Sequence, residues 1–286
     1  MVPNLFSRAM VIGVSCLGLV LSFPATAAAV IAAEPSAAFE RLYGRLLGEF
    51  WRPAVGIHGI ETTVFDYSRM KHDAQAPDSL FNQALAALDK LDPAEISNDN
   101  AAKAFWINAY NFGAIRLVIN HYPVDSITSF KISLFKHPWS KKALRIGGRW
   151  YSLHEIEKEM LLKAFEDPRI VFAVSCAAVS CPDRAPEAFD AVHLDEQMDK
   201  LIRAFFRNPG KGLRLDRQAK TLTLSWILKK DSHLFPQDKG GVLGFVLPYL
   251  EATDRSWIQT HPVKIDYFDH DWTLNDLAQA EREKRR

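Results

Sequence analysis

The sequence predicts an α+β fold, with a helix-rich first half packed on a small mixed or antiparallel sheet. Two observations carry this: apolar residues recur at helical spacing in long segments before residue 123, and later segments alternate or run apolar between glycine and polar turns. Helices are expected over about Ser36 to Trp51, Asp78 to Leu91, Asn100 to Tyr122, Ser152 to Phe165, Asp195 to Asn208 and Gly241 to Leu250. Leu144 to Ile146 and Trp150 to Leu153 flank Gly147-Gly148, a pair suited to the positive φ angles of a tight hairpin. Arg169 to Ser175 reads as a buried strand. Leu213 to Leu215 and Thr221 to Ser225 suggest a second hairpin, and Val263 to Phe268 a late strand.

The first residues read as an export signal, residues 1–27. Arg8 supplies positive charge, Ala9 to Phe23 are apolar, and Ala25-Thr26-Ala27 has the small residues of a cleavage site. That apolar run of about 15 residues falls short of the roughly 20 that cross a bilayer. Cys16 leaves with the signal on this reading, and the mature protein is periplasmic or secreted, with no membrane span. Residues 28–280 then form a single domain, since no repeat or low-complexity linker divides them, and 281–286 are a charged tail that frays. The whole chain has 35 basic and 34 acidic residues, which implies no field for nucleic acid. A hydrophobic content of 48% is ample for one large core.

Two segments carry the candidate chemistry. The first is Phe105-Trp106-Ile107-Asn108-Ala109-Tyr110-Asn111-Phe112, in which Asn108 falls on the apolar stripe of a helix. A buried amide left unpaired costs about 1–3 kcal/mol, so Asn108 needs specific partners, and Asn111 can join its network. It either clamps a loop or orients a catalytic group. The second is Ser175-Cys176-Ala177-Ala178-Val179-Ser180-Cys181-Pro182, which holds both cysteines outside the signal.

These segments resemble the domain-of-unknown-function 547 family, whose marks are an Ala-Phe-Trp-Ile-Asn-x-Tyr-Asn helix and a Cys-x-x-x-Ser-Cys-Pro segment. Here they stand at Ala104 to Asn111 and Cys176 to Pro182, with Asp167-Pro168-Arg169-Ile170 before the second. Leu153-x-x-Ile156-Glu157 and Asp271-Trp272-x-Leu274-Asn275 extend the resemblance. The family has no settled function and includes intracellular plant members. The resemblance implies a fold and makes Glu157 a pocket candidate. Family members often carry a histidine directly after the Ile-Glu pair. This chain has Lys158 there, with His154 one turn earlier on the same helix face.

Three readings of Cys176 and Cys181 stay open. A disulfide closing about six residues would stabilise by roughly 2 kcal/mol. Alternatively Cys176 is a nucleophile where a strand ends, with His154, His193 or His233 as base and Asn108 as orienting group. That set resembles papain-like or transglutaminase-like enzymes acting on amide or ester bonds. A redox pair is the third reading, though four residues intervene where two are usual. The candidate catalytic residues are thus Cys176, His154, Asn108 and Glu157. Trp106, Tyr110, Asn111 and Cys181 are expected around a small-molecule or peptide ligand. His270, in Asp269-His270-Asp271-Trp272, looks ligand-like, but at a late strand end it reads rather as a loop residue with acidic neighbours. No metal site or cofactor is expected, because no second cysteine pair or His-x-x-x-His lies nearby. The competing function is a non-catalytic binding or scaffold domain with a bridged pair.

Overall fold

The computed structural model describes residues 34–96, 98–133 and 137–285; the segment read as an export signal, with Cys16, lies outside them. Helix α1 (Ala37–Phe50) runs directly into strand β1 (Trp51–Ile57), which pairs antiparallel with β2 (Ile60–Phe65). His58 and Gly59 turn this hairpin with φ of 51° and 75°. Pro53 and Gly56 weaken its strand pattern in the sequence. The register is irregular between Arg52 and Val55, where Pro53 needs no ladder partner. Helix α2 (Tyr67–Asp73), capped by the Asp66 carboxylate, was also unexpected. Helix α3 (Leu80–Lys90) falls where its periodicity placed it.

Helix α4 (Asp99–His121) is the centre of the core. Asn98 caps it by accepting from the Ala101 N–H, and every residue from Ala104 to Ile115 is buried. It is apolar nearly all round, as a helix enclosed on every side must be. Close approach is built in at Gly113, where a β-carbon would stand 2.9 Å from the Leu153 side chain.

Strands β3 (Lys142–Ile146) and β4 (Arg149–Ser152) form the expected hairpin, turning at Gly147 and Gly148 with φ of 55° and 77°. A capping box between Ser152 and Glu155 opens the next helix. Its first turn, Leu153–Glu155, passes into a π-helical stretch, Ile156–Leu162, and ends as Lys163–Phe165. The expected strand at Arg169 to Ser175 is instead a short helix, Ile170–Ala173. A short, fully apolar run does not separate a buried strand from a buried helix. The Asp167 carboxylate accepts from the Arg169 N–H in the turn that leads into this helix.

Beyond helix Leu194–Phe206, β5 (Leu213–Asp216) and β6 (Thr221–Leu224) pair antiparallel, and β7 (Lys264–Tyr267) joins β6 in parallel. The class is α+β, but its strands divide among two hairpins and this mixed three-stranded sheet rather than forming one layer. The expected helix at Gly241 to Leu250 is α-helical over Gly241–Val246 and tightens to a 3₁₀ turn at Leu247–Tyr249, where Pro248 cannot donate to an α-helical ladder. Among the described residues, no helix is long and apolar enough to cross a membrane.

Asn108 is fully buried, and both of its amide atoms bond the backbone of one residue. Its Nδ2 donates to the Phe189 carbonyl at 2.8 Å, and its Oδ1 accepts from the Phe189 N–H at 2.9 Å. Asn108→Ala leaves both backbone groups unpaired, so a loss of about 3 kcal/mol is expected in urea unfolding. A loss under about 0.5 kcal/mol would show that water replaces the amide.

Candidate functional site

Segment 174–182 has no regular secondary structure, so its backbone groups need partners elsewhere. Asn111 supplies the first pair: its Nδ2 donates to the Ala173 carbonyl at 2.9 Å, and its Oδ1 accepts from the Ser175 N–H at 2.8 Å. The chain near residue 273 supplies the next. Val179 N–H donates to the Thr273 carbonyl, Ser180 N–H to that of Asp271, and Asn275 N–H to that of Ala177. From beneath, Lys211 Nζ donates to the Val179 carbonyl and to Asp183, and the Arg184 guanidinium donates to the Ser175 carbonyl at 3.0 Å. So constrained, Ala177 adopts a φ of 64°, a left-handed conformation that a non-glycine residue takes at some cost.

Cys176 and Cys181 are joined by a disulfide, with their α-carbons 6.1 Å apart. Cys181 is fully buried; Cys176 is partly exposed and lines a cavity of about 790 Å³. His270 Nε2 lies 3.8 Å from the Cys181 sulfur, and the two sulfurs and an imidazole nitrogen all fall within 4.8 Å of one another. Burial pushes the His270 pKa down to about 4, so the ring is neutral at pH 7. Its faces pack on aromatic walls, with Trp272 and Trp226 at ring separations of 4.2 and 5.0 Å.

The opposite wall comes from the π-helical stretch, whose wider turn carries Glu157 and Lys158. Lys158 Nζ lies 2.8 Å from Glu157 Oε1 and 3.6 Å from Asp231 Oδ1, and Lys230 pairs with the other oxygen of Asp231 at 3.1 Å. Burial works to lower the Lys158 pKa, but the two carboxylates outweigh it and hold the ammonium charged. Tyr110 accepts from Trp139 Nε1 at 3.2 Å, and burial together with the Glu157 charge keeps its hydroxyl protonated. The cavity therefore combines tryptophan and tyrosine walls, one balanced cluster of carboxylates and ammoniums, and the edge of a disulfide. Such a combination suits an organic ligand with an apolar body and a polar end.

Of the residues the sequence singled out, Cys176, His154, Glu157 and Tyr110 line this cavity together. His154 is exposed at its rim, and Cys181 sits behind Cys176. Asn111 holds the cysteine segment from below, Asn108 is spent on Phe189, and Trp106 packs on Phe105 and Tyr151 away from the opening. His193 pairs with Asp190 on the surface. Three contributors escaped sequence reasoning: Asp231, Lys230 and the role of His270. Neither Asp231 nor Lys230 lies in a motif. For His270, its place beside Asp271-Trp272 was the available signal.

Neutral His270 makes stability depend on pH. The unfolded chain takes up this proton near pH 6.5 and the folded protein only near 4, so stability is complete above 6.5 and falls as pH drops through that window. His270→Gln is expected to flatten the fall between pH 6.5 and 4 by about 2 kcal/mol, the partial exposure of the ring included. Identical pH slopes for the variant and the parent, in denaturant titrations, would contradict a buried neutral ring.

Comparison with curated proteins and with solved structures finds no match. Residues 93–206 match the family model described as "Protein of unknown function, DUF547". The matched span holds Asn108, Asn111, Glu157 and the cysteine segment, whereas Asp231 and His270 lie beyond it. The resemblance read from Ala104 to Asn111 and Cys176 to Pro182 is thus supported across the core of the site, where residues 93–206 are similar to that family.

Proposed function

We propose that the cavity is the functional site and that Cys176, once its bridge is reduced, acts as a nucleophile in acyl transfer or hydrolysis of an amide or ester. The observation that carries this reading is the proximity of an imidazole nitrogen of His270, within 4.8 Å of the Cys176 sulfur, at the wall of an aromatic-lined cavity. His270 takes the role expected of His154, which has no contact with either sulfur among the hydrogen bonds of the described residues. Its ring nitrogen accepts the thiol proton, and the charge that develops on the sulfur beside it stabilises the imidazolium. The thiolate then attacks the carbonyl carbon and the imidazolium protonates the leaving group. Water hydrolyses the resulting thioester and restores the thiol. Tyr110 and the Lys158–Glu157 pair offer donors and an acceptor to the polar part of the substrate. Asn108, with both amide atoms used on Phe189, has no part in this set.

Under this reading the bridged protein is inactive and the reduced protein hydrolyses activated aryl esters. Cys176→Ser should abolish the reaction, and His270→Ala should slow it by about 10²–10⁴-fold. Full activity in either variant would overturn the assignment. The bridge itself, with Cys181 wholly buried, favours a second reading in which the cavity binds a ligand without chemistry and the disulfide fixes its wall. Tight binding of an aryl ester that stays intact in the reduced protein would select it.

We also infer export, from Arg8, the apolar Ala9 to Phe23 and Ala25-Thr26-Ala27. Expression of the full chain should yield a periplasmic or secreted product that begins after Ala27. A cytoplasmic product retaining residue 1 would rule this out.

A further inference from the structure

The three atoms that meet at the cavity wall are also a ligand set. Tetrahedral zinc, with bonds of about 2.3 Å to sulfur and 2.0–2.1 Å to nitrogen, needs its ligand atoms roughly 3.6–3.8 Å apart. In the bridged protein the two sulfurs are closer than this, while all three atoms lie within 4.8 Å of one another. Opening the bridge and drawing in the imidazole therefore takes shifts of only about 1–2 Å. Both cysteines belong to a segment without regular structure, and His270 lies on the irregular chain after β7, so neither move breaks a helix or a sheet ladder.

We propose that in the dithiol form Cys176, Cys181 and His270 bind a soft divalent metal of the zinc type, with the fourth coordination position open to the cavity. Among the hydrogen bonds of the described residues, His270 has no ring partner except the Cys181 sulfur, so binding displaces no other bond of the ring. Cys176 and His270 both line the cavity while Cys181 lies behind them, which leaves the unfilled position on the cavity side. The imidazole nitrogen nearest the sulfurs offers a lone pair of the kind zinc takes. Three protein ligands and one open position are the arrangement of catalytic rather than closed structural zinc. Sequence spacing concealed the set, because His270 comes from 89 positions beyond Cys181.

The chemistry balances in two steps. A dithiol reductant gives two electrons and two protons to the Cys176–Cys181 bond, leaving two protein thiols and an oxidised cyclic disulfide. Zinc binding then releases the two thiol protons. The inference needs the same reduction as acyl transfer but does not rest on it. Metal bound to Cys176 would block that residue as a nucleophile.

The test uses the full chain reduced with a phosphine, which does not chelate as dithiols do, and then freed of reductant under nitrogen. Zinc titration should show about one equivalent bound to the reduced protein and none to the bridged protein. Cobalt(II) should give a sulfur-to-metal charge-transfer band and the intense visible bands of a tetrahedral site. Cys176→Ser and His270→Gln should each weaken zinc binding by on the order of a hundredfold or more, while exposed His261→Ala leaves it unchanged. The cobalt spectrum of the unsubstituted protein reads sulfur ligation even where a variant fails to fold. Two titratable thiols with no zinc bound and no charge-transfer band would overturn the metal site while leaving thiol catalysis standing. Zinc bound equally well by Cys176→Ser and His270→Gln would also overturn it.

Discussion

The site depends on two side-chain amides carried by one buried helix. Asn108 and Asn111 lie three residues apart on α4, and each uses both ends of its amide on backbone that has no secondary-structure partner. Asn108 fixes the chain at Phe189, and Asn111 fixes the exit from helix Ile170–Ala173 into the cysteine segment. Because α4 is enclosed by core on every side, its amides cannot turn to water, and loop backbone is the acceptor and donor at hand. A helix at the centre of the protein thus sets the position of a cysteine at its surface.

Charge is distributed around this frame by the same rule. Lys211 is wholly buried, and desolvation lowers its pKa, yet it meets Asp183, Thr62 and the Val179 carbonyl and so braces the disulfide loop from below. Across the cavity, Lys158 bridges Glu157 and Asp231. Removing one partner of such a cluster leaves an uncompensated charge in a poorly solvated site, which makes these groups constraints on geometry as much as chemical resources. His270 is the exception. It stays neutral among aromatic rings and sulfur, because burial disfavours its charged form.

Much of this frame was legible in the sequence. The α+β class, the α4 periodicity and the Gly147-Gly148 hairpin all follow from local pattern, since each is decided by residues near in sequence. So does the burial of Asn108, which sits on an apolar stripe. The β1–β2 hairpin was hidden by Pro53 and Gly56, residues that a bulge accommodates. The run from Ile170 to Ala173 was read as a strand because a fully buried segment has no solvent face to reveal its period. The site was legible only in part. Cys176, Glu157 and Tyr110 stand in segments marked by their own composition. The cavity is closed by Asp231 and His270, which reach it from later elements through long-range contacts that no spacing encodes. Lys158, read as a departure from the expected histidine, proves to be the ammonium between two carboxylates.

We hold that Cys176, which faces the cavity, is the reactive member of a reducible pair, with Cys181 shielded behind it. Alkylation followed by peptide mass spectrometry, with labelling rates measured before and after phosphine reduction, decides the point. No labelling is expected before reduction, and afterwards Cys176 should react much faster than Cys181 and be protected when a ligand fills the cavity. Equal rates for the two thiols in the folded protein, or a faster Cys181, would contradict the claim.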